Sequence, residues 1–424
     1  MSLKATTLLT AAICLVLAAL ILQIDQLYFM AAAVMAIALV SRLAVFSGLR
    51  GLRGKRVVAD RVFEDDVVNV TLQLANLSRL PKIFLQLEED FSPWLCSEEA
   101  RFLLPSLLPK QEVGLNYSCR PQKRGVLKVG PLKAIVSDPI GLVTRSKILI
   151  PEVKAIIYPR PLALPAEDIT GGALFGKGTA ERSARSGEGL DFHGVRDYKP
   201  GDELRRIHWK ASARHQRLAV IEFEQSHTSD VAIALDLLKG TEVGEGLHTT
   251  LEYGVKIAVS LARRALDSGA MVSLSLQAGG GYESLLCRGE EDFHQILEML
   301  AKAEATGNLP LYALLEKMRI ALLPGTVVVA ITSDPDPRLA GAAKSLGVEN
   351  LQLSAVLLDA LSFNHPDGEA TDTLKAVLVG SPPTTPNPYT ATVENLRQLG
   401  VRAHVIQRGE DLVQAIRRVI GGEE

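Results

Sequence analysis

The sequence predicts two N-terminal membrane-crossing helices, a small antiparallel β-sandwich, and a C-terminal α/β domain on a doubly wound, mainly parallel sheet. Three observations carry this expectation. Two uncharged apolar runs open the chain, Ala5 to Ile24 and Leu27 to Val40, the second resuming from Leu43 to Phe46. From about Val57 to Tyr158, short apolar/polar alternations lie between Pro, Gly and Asn turns. After Asp230, continuous apolar runs alternate with stretches of helical spacing. The expected boundaries are 1–56 for the helical hairpin and its basic flank, 57–158 for the sandwich, 159–229 for a linker with a dense motif, and 230–424 for the α/β domain.

A chain of 424 residues has room for two or three domains. Lys and Arg number 46 against 48 Asp and Glu, a net charge of −2, which excludes a globally basic nucleic-acid binder and an acidic disordered tail. Mean hydropathy is +0.16, and the first 46 residues carry much of it. The four cysteines, Cys14, Cys96, Cys119 and Cys287, form no CxxC pair and no cluster with His. They match neither a disulfide framework nor a structural zinc site, and they suit a reducing compartment.

About 20 apolar residues at 1.5 Å each span the ~30 Å of a hydrocarbon core, so each N-terminal run has the length of a span. A cleaved signal peptide would carry a basic start and a small-x-small cleavage site. Here Lys4 is the one early charge, and a second apolar run follows after Ile24-Asp25-Gln26. Arg42 lies where it can snorkel to the interface. Arg42, Arg50, Arg53, Lys55 and Arg56 flank the second run, whereas the turn holds only Asp25. The positive-inside rule then places the rest of the chain in the cytoplasm, at the inner membrane.

In the second part, Val68, Val70, Leu72 and Leu74 alternate with polar residues, which gives a strand with one buried face. Ile83 to Leu87, Lys128 to Leu132 and Ala134 to Val136 read as further strands, and Asn76-Leu77-Ser78 as a turn. Pro159 to Gly187 is rich in Pro and Gly and reads as a linker; Gly171 to Gly178 lacks the GK[ST] ending of a phosphate loop. In the last part, Val231 to Leu235, Met271 to Leu276, Thr326 to Ile331, Leu351 to Leu358 and Val401 to Ile406 read as strands. Helical faces lie at Leu251 to Ala262, Phe293 to Leu300 and Leu412 to Ile420.

The densest stretch is Gly187 to Glu224. Between Glu181 and Arg217 it mixes nine Lys or Arg with six Asp or Glu. Lys199-Pro200-Gly201-Asp202 has the Pro-Gly order of a type II turn, after which Asp202 would cap a helical turn bringing Arg205, Arg206 and Trp209 onto neighbouring faces. Four readings compete. Arg205, Arg206, Lys210 and Arg214 beside Trp209 would suit an anion or a nucleic acid, but the interleaved acids weaken that reading. Asp191, His193 and His208 would supply a hydrolase-like acid–base site if the fold brought them together. A partner-docking surface is a third reading. The charge pairing favours a fourth, an internal salt-bridged clasp in which Trp209 is buried.

The motif Arg196-x-Tyr198-x-Pro200-Gly201-Asp202-x-x-Arg205-x-Ile207-x-Trp209-Lys210-x-Ser212-Ala213-Arg214, with Arg124-Gly125 and Asp138-Pro139-Ile140-Gly141-Leu142, resembles a bacterial and archaeal family filed as domain of unknown function fifty-eight. That family usually has Phe in place of Ile140. The resemblance implies two N-terminal spans, a von Willebrand factor A-like C-terminal domain, and genes neighbouring MoxR-type AAA+ ATPases, with no settled activity. Domains of that type hold Mg²⁺ through an Asp-x-Ser-x-Ser loop, a Thr and a second Asp. Here Asp236 survives, Leu238 and Gly240 replace the serines, Lys239 adds a positive charge, and Asp334 matches the later Asp. Thr249 and Thr250 are candidates for the Thr, and the sequence assigns neither. Mg²⁺ is therefore not expected, and Asp236 and Asp334 have an alternative role as helix caps. With no nucleophile elbow, HExxH or dinucleotide fingerprint, the expectation is a membrane-anchored, non-enzymatic interaction protein working with a protein partner such as a MoxR-type ATPase.

Overall fold

The computed structural model describes residues 3–58, 61–91, 100–138, 140–164, 191–198, 207–209, 212–213, 217–224, 230–278, 281–364 and 387–421. The Gly171 to Gly178 stretch lies outside them, as do Pro200, Gly201, Asp202, Arg205, Lys210 and Arg214. The chain divides into two compact units, Met1–Arg160 and Pro161–Glu424.

The first unit opens with α1 (Leu3–Leu22) and α2 (Asp25–Leu49), joined at Gln23 and Ile24. Both are apolar all round and present large side chains outward: Ile21 is 80% exposed and Phe29 75%. A water-soluble helix would bury such a face. Asp25–Leu49 is long and apolar enough to cross a membrane, and α1 is apolar over Thr6–Leu22. Ala12, Ala19 and Ala31 are buried in this pair, small residues that let two backbones approach.

At ~1.5 Å per residue, the 25 residues of α2 exceed a ~30 Å hydrocarbon layer by about five residues, a little more than one turn. The structure uses that excess. Ser41, Val45, Gly48 and Leu49 are buried at helical spacing, and Val45 and Leu49 join the hydrophobic core of the strands that follow. A Cβ on Gly48 would meet Val136 Cγ1 at 2.9 Å, so only Gly lets the helix lie this close. The Lys82 ammonium, buried with its strand, donates to the Ser47 carbonyl.

The strands are β1 (Leu52–Val57), β2 (Val62–Phe63), β3 (Val68–Asn76), β4 (Lys82–Phe91), β5 (Ala100–Leu107), β6 (Glu112–Cys119), β7 (Gly125–Ser137), β8 (Thr144–Ile150) and β9 (Val153–Tyr158). One sheet runs β1-β3-β6; the other runs β2-β9-β7-β4-β5, with β8 also on β7. Side chains of both sheets share one core, including Val70, Leu72, Leu85, Leu87 and Leu132. The alternation in β3 is as expected: Val68, Val70, Leu72 and Leu74 are buried, while Asn69 and Gln73 are exposed. The two strands read at Lys128 to Leu132 and Ala134 to Val136 are one, β7. On one side of β7, residues up to Val129 pair with β9 and those from Leu132 with β8. Pro131 has no N–H to give a ladder, so it falls where the partner changes.

The second unit begins with a ribbon, β10 (Asp191–Asp197) against β11 (Ala219–Glu224). Then come β12 (Val231–Leu235), the short pair β13 (Gly244–Glu245) and β14 (His248–Thr249), α3 (Thr250–Asp267), β15 (Val272–Ala278), β16 (Gly281–Cys287), α4 (Glu290–Ala301) and α5 (Leu311–Arg319). They are followed by β17 (Val327–Thr332), α6 (Leu339–Val348), β18 (Gln352–Leu358), α7 (Ala360–Asn364), α8 (Pro388–Gln398), β19 (Arg402–Ile406) and α9 (Leu412–Gly421). The main sheet runs β16-β15-β12-β17-β18-β19, parallel except for the antiparallel edge strand β16. Ala232 and Ala234 pack with α5, α6 and α8 on one face, and α3 covers the other. The five residues of β12 are buried on both faces, as their unbroken apolar run requires. At Gly254 an added Cβ would lie 3.1 Å from Leu235 Cδ1, a close approach of α3 to the sheet.

Candidate functional site

Within Gly187 to Glu224, the described residues form the ribbon and a short piece, Ile207 to Trp209, that bridges to it. Tyr198 N–H donates to the Leu218 carbonyl at 2.8 Å, and Ile207 makes an antiparallel bridge with Val220, which itself pairs with Arg196. β-branched Ile207 and Val220 are buried together, 6% and 3% exposed. The helix expected after Gly201 is therefore not continuous to Trp209: Ile207 is extended, and one helical turn follows, closed by the Ser212 N–H and hydroxyl on the His208 carbonyl. Trp209 projects from this turn and is 68% exposed. The clasp reading required it to be buried, and the structure corrects that point.

The acid–base reading fares no better on the register. Asp191 pairs with Glu224 at the far end of the ribbon, whereas His208 follows the residue that pairs with Val220. Four strand residues separate those positions, about 13 Å. His193 occupies the bulge between Phe192 and Gly194. The backbone thus spreads Asp191, His193 and His208 along the ribbon and does not bring them to one point.

A second site lies at the carboxyl ends of β12 and β17, the point where the sheet's strand order reverses. Ligands of open α/β sheets bind at such a point. Asp236 follows β12 and is 9% exposed. Its Oδ1 accepts from the Leu238 N–H at 3.0 Å, and its Oδ2 from the Thr332 hydroxyl at 2.6 Å. Thr332 Oγ1 in turn accepts from the Asp334 N–H at 2.9 Å. The two threonines considered as metal ligands are engaged otherwise. Thr249 caps α3 by accepting from Glu252 N–H, and the Thr250 hydroxyl donates to the Thr241 carbonyl at 2.9 Å. Ser333 lines the same recess, and its carbonyl accepts from the Tyr389 hydroxyl at 2.8 Å. Neither Asp236 nor Asp334 caps a helix: Thr249 does so for α3, and Asp336 accepts from the Arg338 N–H ahead of α6.

These residues do not fit a Mg²⁺ ion. Each oxygen of Asp236 already accepts one hydrogen bond, Leu238 and Gly240 offer no side-chain oxygen, and among the described residues no three His, Cys, Asp or Glu are grouped for a metal. Adding millimolar Mg²⁺ is expected to leave the melting temperature unchanged. A ligand at 100 times its dissociation constant would add ~2.7 kcal/mol, so a shift that Asp236→Ala removes would contradict this.

Burial, with Asp334 and Asp336 nearby, holds the Asp236 carboxyl above its ordinary value. The folded state therefore binds this proton more tightly than the unfolded chain does. That contribution is fully present below the unfolded value and is lost as pH rises through the folded one. Asn mimics the protonated side chain, so Asp236→Asn is expected to raise stability at pH 7 by about 0.5–2 kcal/mol. The gain should shrink as pH falls toward 4. Thermal unfolding across that range tests this, and a variant less stable than wild type at pH 7 would contradict it.

Comparison with known proteins gives a family over the same stretch. Residues 194–341, from the ribbon to α6, match the family described as Protein of unknown function DUF58. A 117-residue segment is 26% identical to the "Uncharacterized protein YeaD" of Bacillus subtilis (strain 168), covering 28% of this chain and 27% of that one. The match thus spans about a quarter of that relative's length. Among solved structures, BatB from Bacteroides thetaiotaomicron aligns over 45% of this chain and 96% of its own, at 12% identity and a TM-score of 0.31. A CARDB domain from Pyrococcus furiosus, in complex with di-metal ions, aligns over 26% of this chain and 87% of its own, at 14% identity and a TM-score of 0.19. Arg196, Tyr198, Trp209 and Asp236 all lie inside the stretch that matches the DUF58 family of proteins of unknown function.

Proposed function

We propose that this protein is a membrane-anchored interaction module, held by α1 and α2 as two spans with its folded body on the cytoplasmic face. Its signature turn docks a protein partner. The observation that carries the reading is Trp209: a large aromatic side chain, 68% exposed, on a turn whose neighbours Ile207 and Ser212 are buried. Fixed, exposed Trp is what protein interfaces use as an anchor. The second unit is read as von Willebrand factor A-like, on the strength of the sheet order and the antiparallel edge strand β16. The resemblance noted from the motif makes a MoxR-type AAA+ ATPase the first partner to test. Quantitative co-purification from detergent-solubilised membranes, wild type against Trp209→Ala, tests the reading; equal recovery of every partner would overturn it.

The orientation has its own test. Native cysteines are poor reporters, because Cys119 and Cys287 are buried and burial pushes the Cys287 thiol up to about 11. Val348, 87% exposed, is a better site. In a Val348→Cys variant, a membrane-impermeant maleimide is expected to label position 348 only after lysis. Labelling in intact cells would reverse the orientation.

A further inference from the structure

Where α1 and α2 reach the sandwich, within the first unit, there is a cavity of about 660 Å³. Leu9 and Ala12 of α1 and Met35 and Ala38 of α2 line its apolar part. Arg42 of α2 and Arg145 at the start of β8 line its polar end. From Met35 to Arg42 the slot runs seven helical residues, about 10 Å. Both arginines are exposed, and neither guanidinium has a hydrogen bond or ion pair among the described residues.

The polar end is built on fixed backbone. Asp138 Oδ1 accepts from the Val143 N–H at 2.7 Å, and the Gly141 N–H donates to the Asp138 carbonyl at 3.0 Å. Gly141 takes φ +70, which suits a residue without Cβ. On the helix side, Ser41 and Val45, flanking Arg42, are buried in the foot that docks on the sandwich. Arg42 and Arg145 are thus presented from two anchored elements, and a ligand between them meets a site that needs little ordering.

We propose that this slot binds one anionic glycerophospholipid of the surrounding leaflet, with an acyl chain along Leu9, Ala12, Met35 and Ala38 and the phosphate between Arg42 and Arg145. The inference rests on the membrane reading of α1 and α2. Charge and position choose the occupant. The apolar wall consists of helices that lie among lipid chains, and the two cations sit at the end of the wall nearest the sandwich, where headgroups lie. Guanidinium pairs recognise phosphate oxygens through paired N–H donors. A neighbouring apolar helix would fill the wall but leave both cations without an anion.

The test uses the full chain, delipidated in mild detergent and titrated with dioleoyl phosphatidylglycerol or dioleoyl phosphatidylcholine, with bound lipid counted by native mass spectrometry. Wild type is expected to retain one phosphatidylglycerol at least tenfold more tightly than phosphatidylcholine. Arg42→Gln with Arg145→Gln should abolish the preference. Arg145→Gln alone, at an exposed strand position that leaves the helix foot intact, should reduce it several-fold. Ala38→Trp, which fills the apolar wall, should release the lipid, and Arg79→Gln, outside the slot, should change nothing. No preference in wild type, or a preference that survives the double substitution, overturns the proposal. Alkaline carbonate extraction separates the two readings. A chain that stays in the membrane pellet but shows no preference refutes the lipid site alone, whereas a chain that washes off refutes the membrane reading and the site with it.

Discussion

Trp209→Ala is expected to weaken partner capture by about 2 kcal/mol or more, some 30-fold, while changing the chain's own stability by less than about 0.5 kcal/mol. The two magnitudes separate because of where the side chain is. A buried Trp would cost ~3–5 kcal/mol on truncation, since its contacts are lost and a cavity remains. Trp209 is 68% exposed, so truncation removes little from the folded chain. The turn that carries it is held by other residues: Ile207 bridges Val220, and Ser212 bonds the His208 carbonyl. The aromatic ring is thus presented without being needed for folding. Thermal unfolding of the full chain in detergent checks the stability half, and quantitative co-purification checks the binding half. A large loss of stability would return the motif to the clasp reading.

Arg56→Ala is expected to destabilise the first unit by about 3–5 kcal/mol, the cost of leaving a buried charge without its partner. Arg56 and Glu89 form an ion pair whose side chains are 4% and 0% exposed. Arg56 also donates to the Val129 carbonyl at 3.3 Å, and the Tyr117 hydroxyl donates to the other Glu89 oxygen at 2.8 Å. Burial and the Glu89 charge push the Tyr117 phenol well above its ordinary value, so it remains a donor at any working pH. Without Arg56, Glu89 keeps one donor and loses its countercharge. Glu89→Gln in the same background removes that charge and retains an acceptor for Tyr117. The double variant should therefore be more stable than Arg56→Ala alone. Pulse proteolysis of the full chain in detergent measures both. A double variant no better than the single one would show that packing of the Arg56 stem, not the stranded charge, sets the loss.

Much of the architecture was legible because its signals are local. The period of two in Val68 to Leu74 and the unbroken apolar run Val231 to Leu235 each depend on a few consecutive residues, and both lie as expected. Arg56 shows where locality ends. In sequence it looks like one more flank charge beside Arg50, Arg53 and Lys55. In β1 it shares a face with Leu52 and Gly54 and points into the sandwich, because strand alternation separates it from Arg53 and Lys55. The foot of α2 was hidden for a related reason. Ser41, Val45, Gly48 and Leu49 look like the frayed end of a span, and only the partner sheet shows that they are core. A soluble fragment cut at Val57 would lose that foot and almost all of β1, so the experiments above use the full chain.

The site was less legible than the fold. β10 and β11 pair across 21 intervening residues, so neither the ribbon nor the bridge at Ile207 has a short-range signal. The Pro-Gly turn predicts a helical turn that runs on to Trp209, and the pairing of Ile207 with Val220 interrupts it at Ile207. At the sheet's carboxyl edge, Asp236 and Asp334 were found from sequence, and Thr332 was not. Its role depends on two parallel strands lying side by side, which places a hydroxyl from the end of β17 against a carboxylate from the end of β12.

The central claim is that the Trp209 turn is a docking face for another protein. A photo-crosslinking residue placed at position 209 in intact cells tests it most directly, with the same residue at position 348, an exposed site on α6, as control. Position 209 is expected to yield a discrete adduct with one other protein, identifiable by mass spectrometry, that position 348 does not give. No adduct at 209, or the same adducts from both positions, would contradict the account.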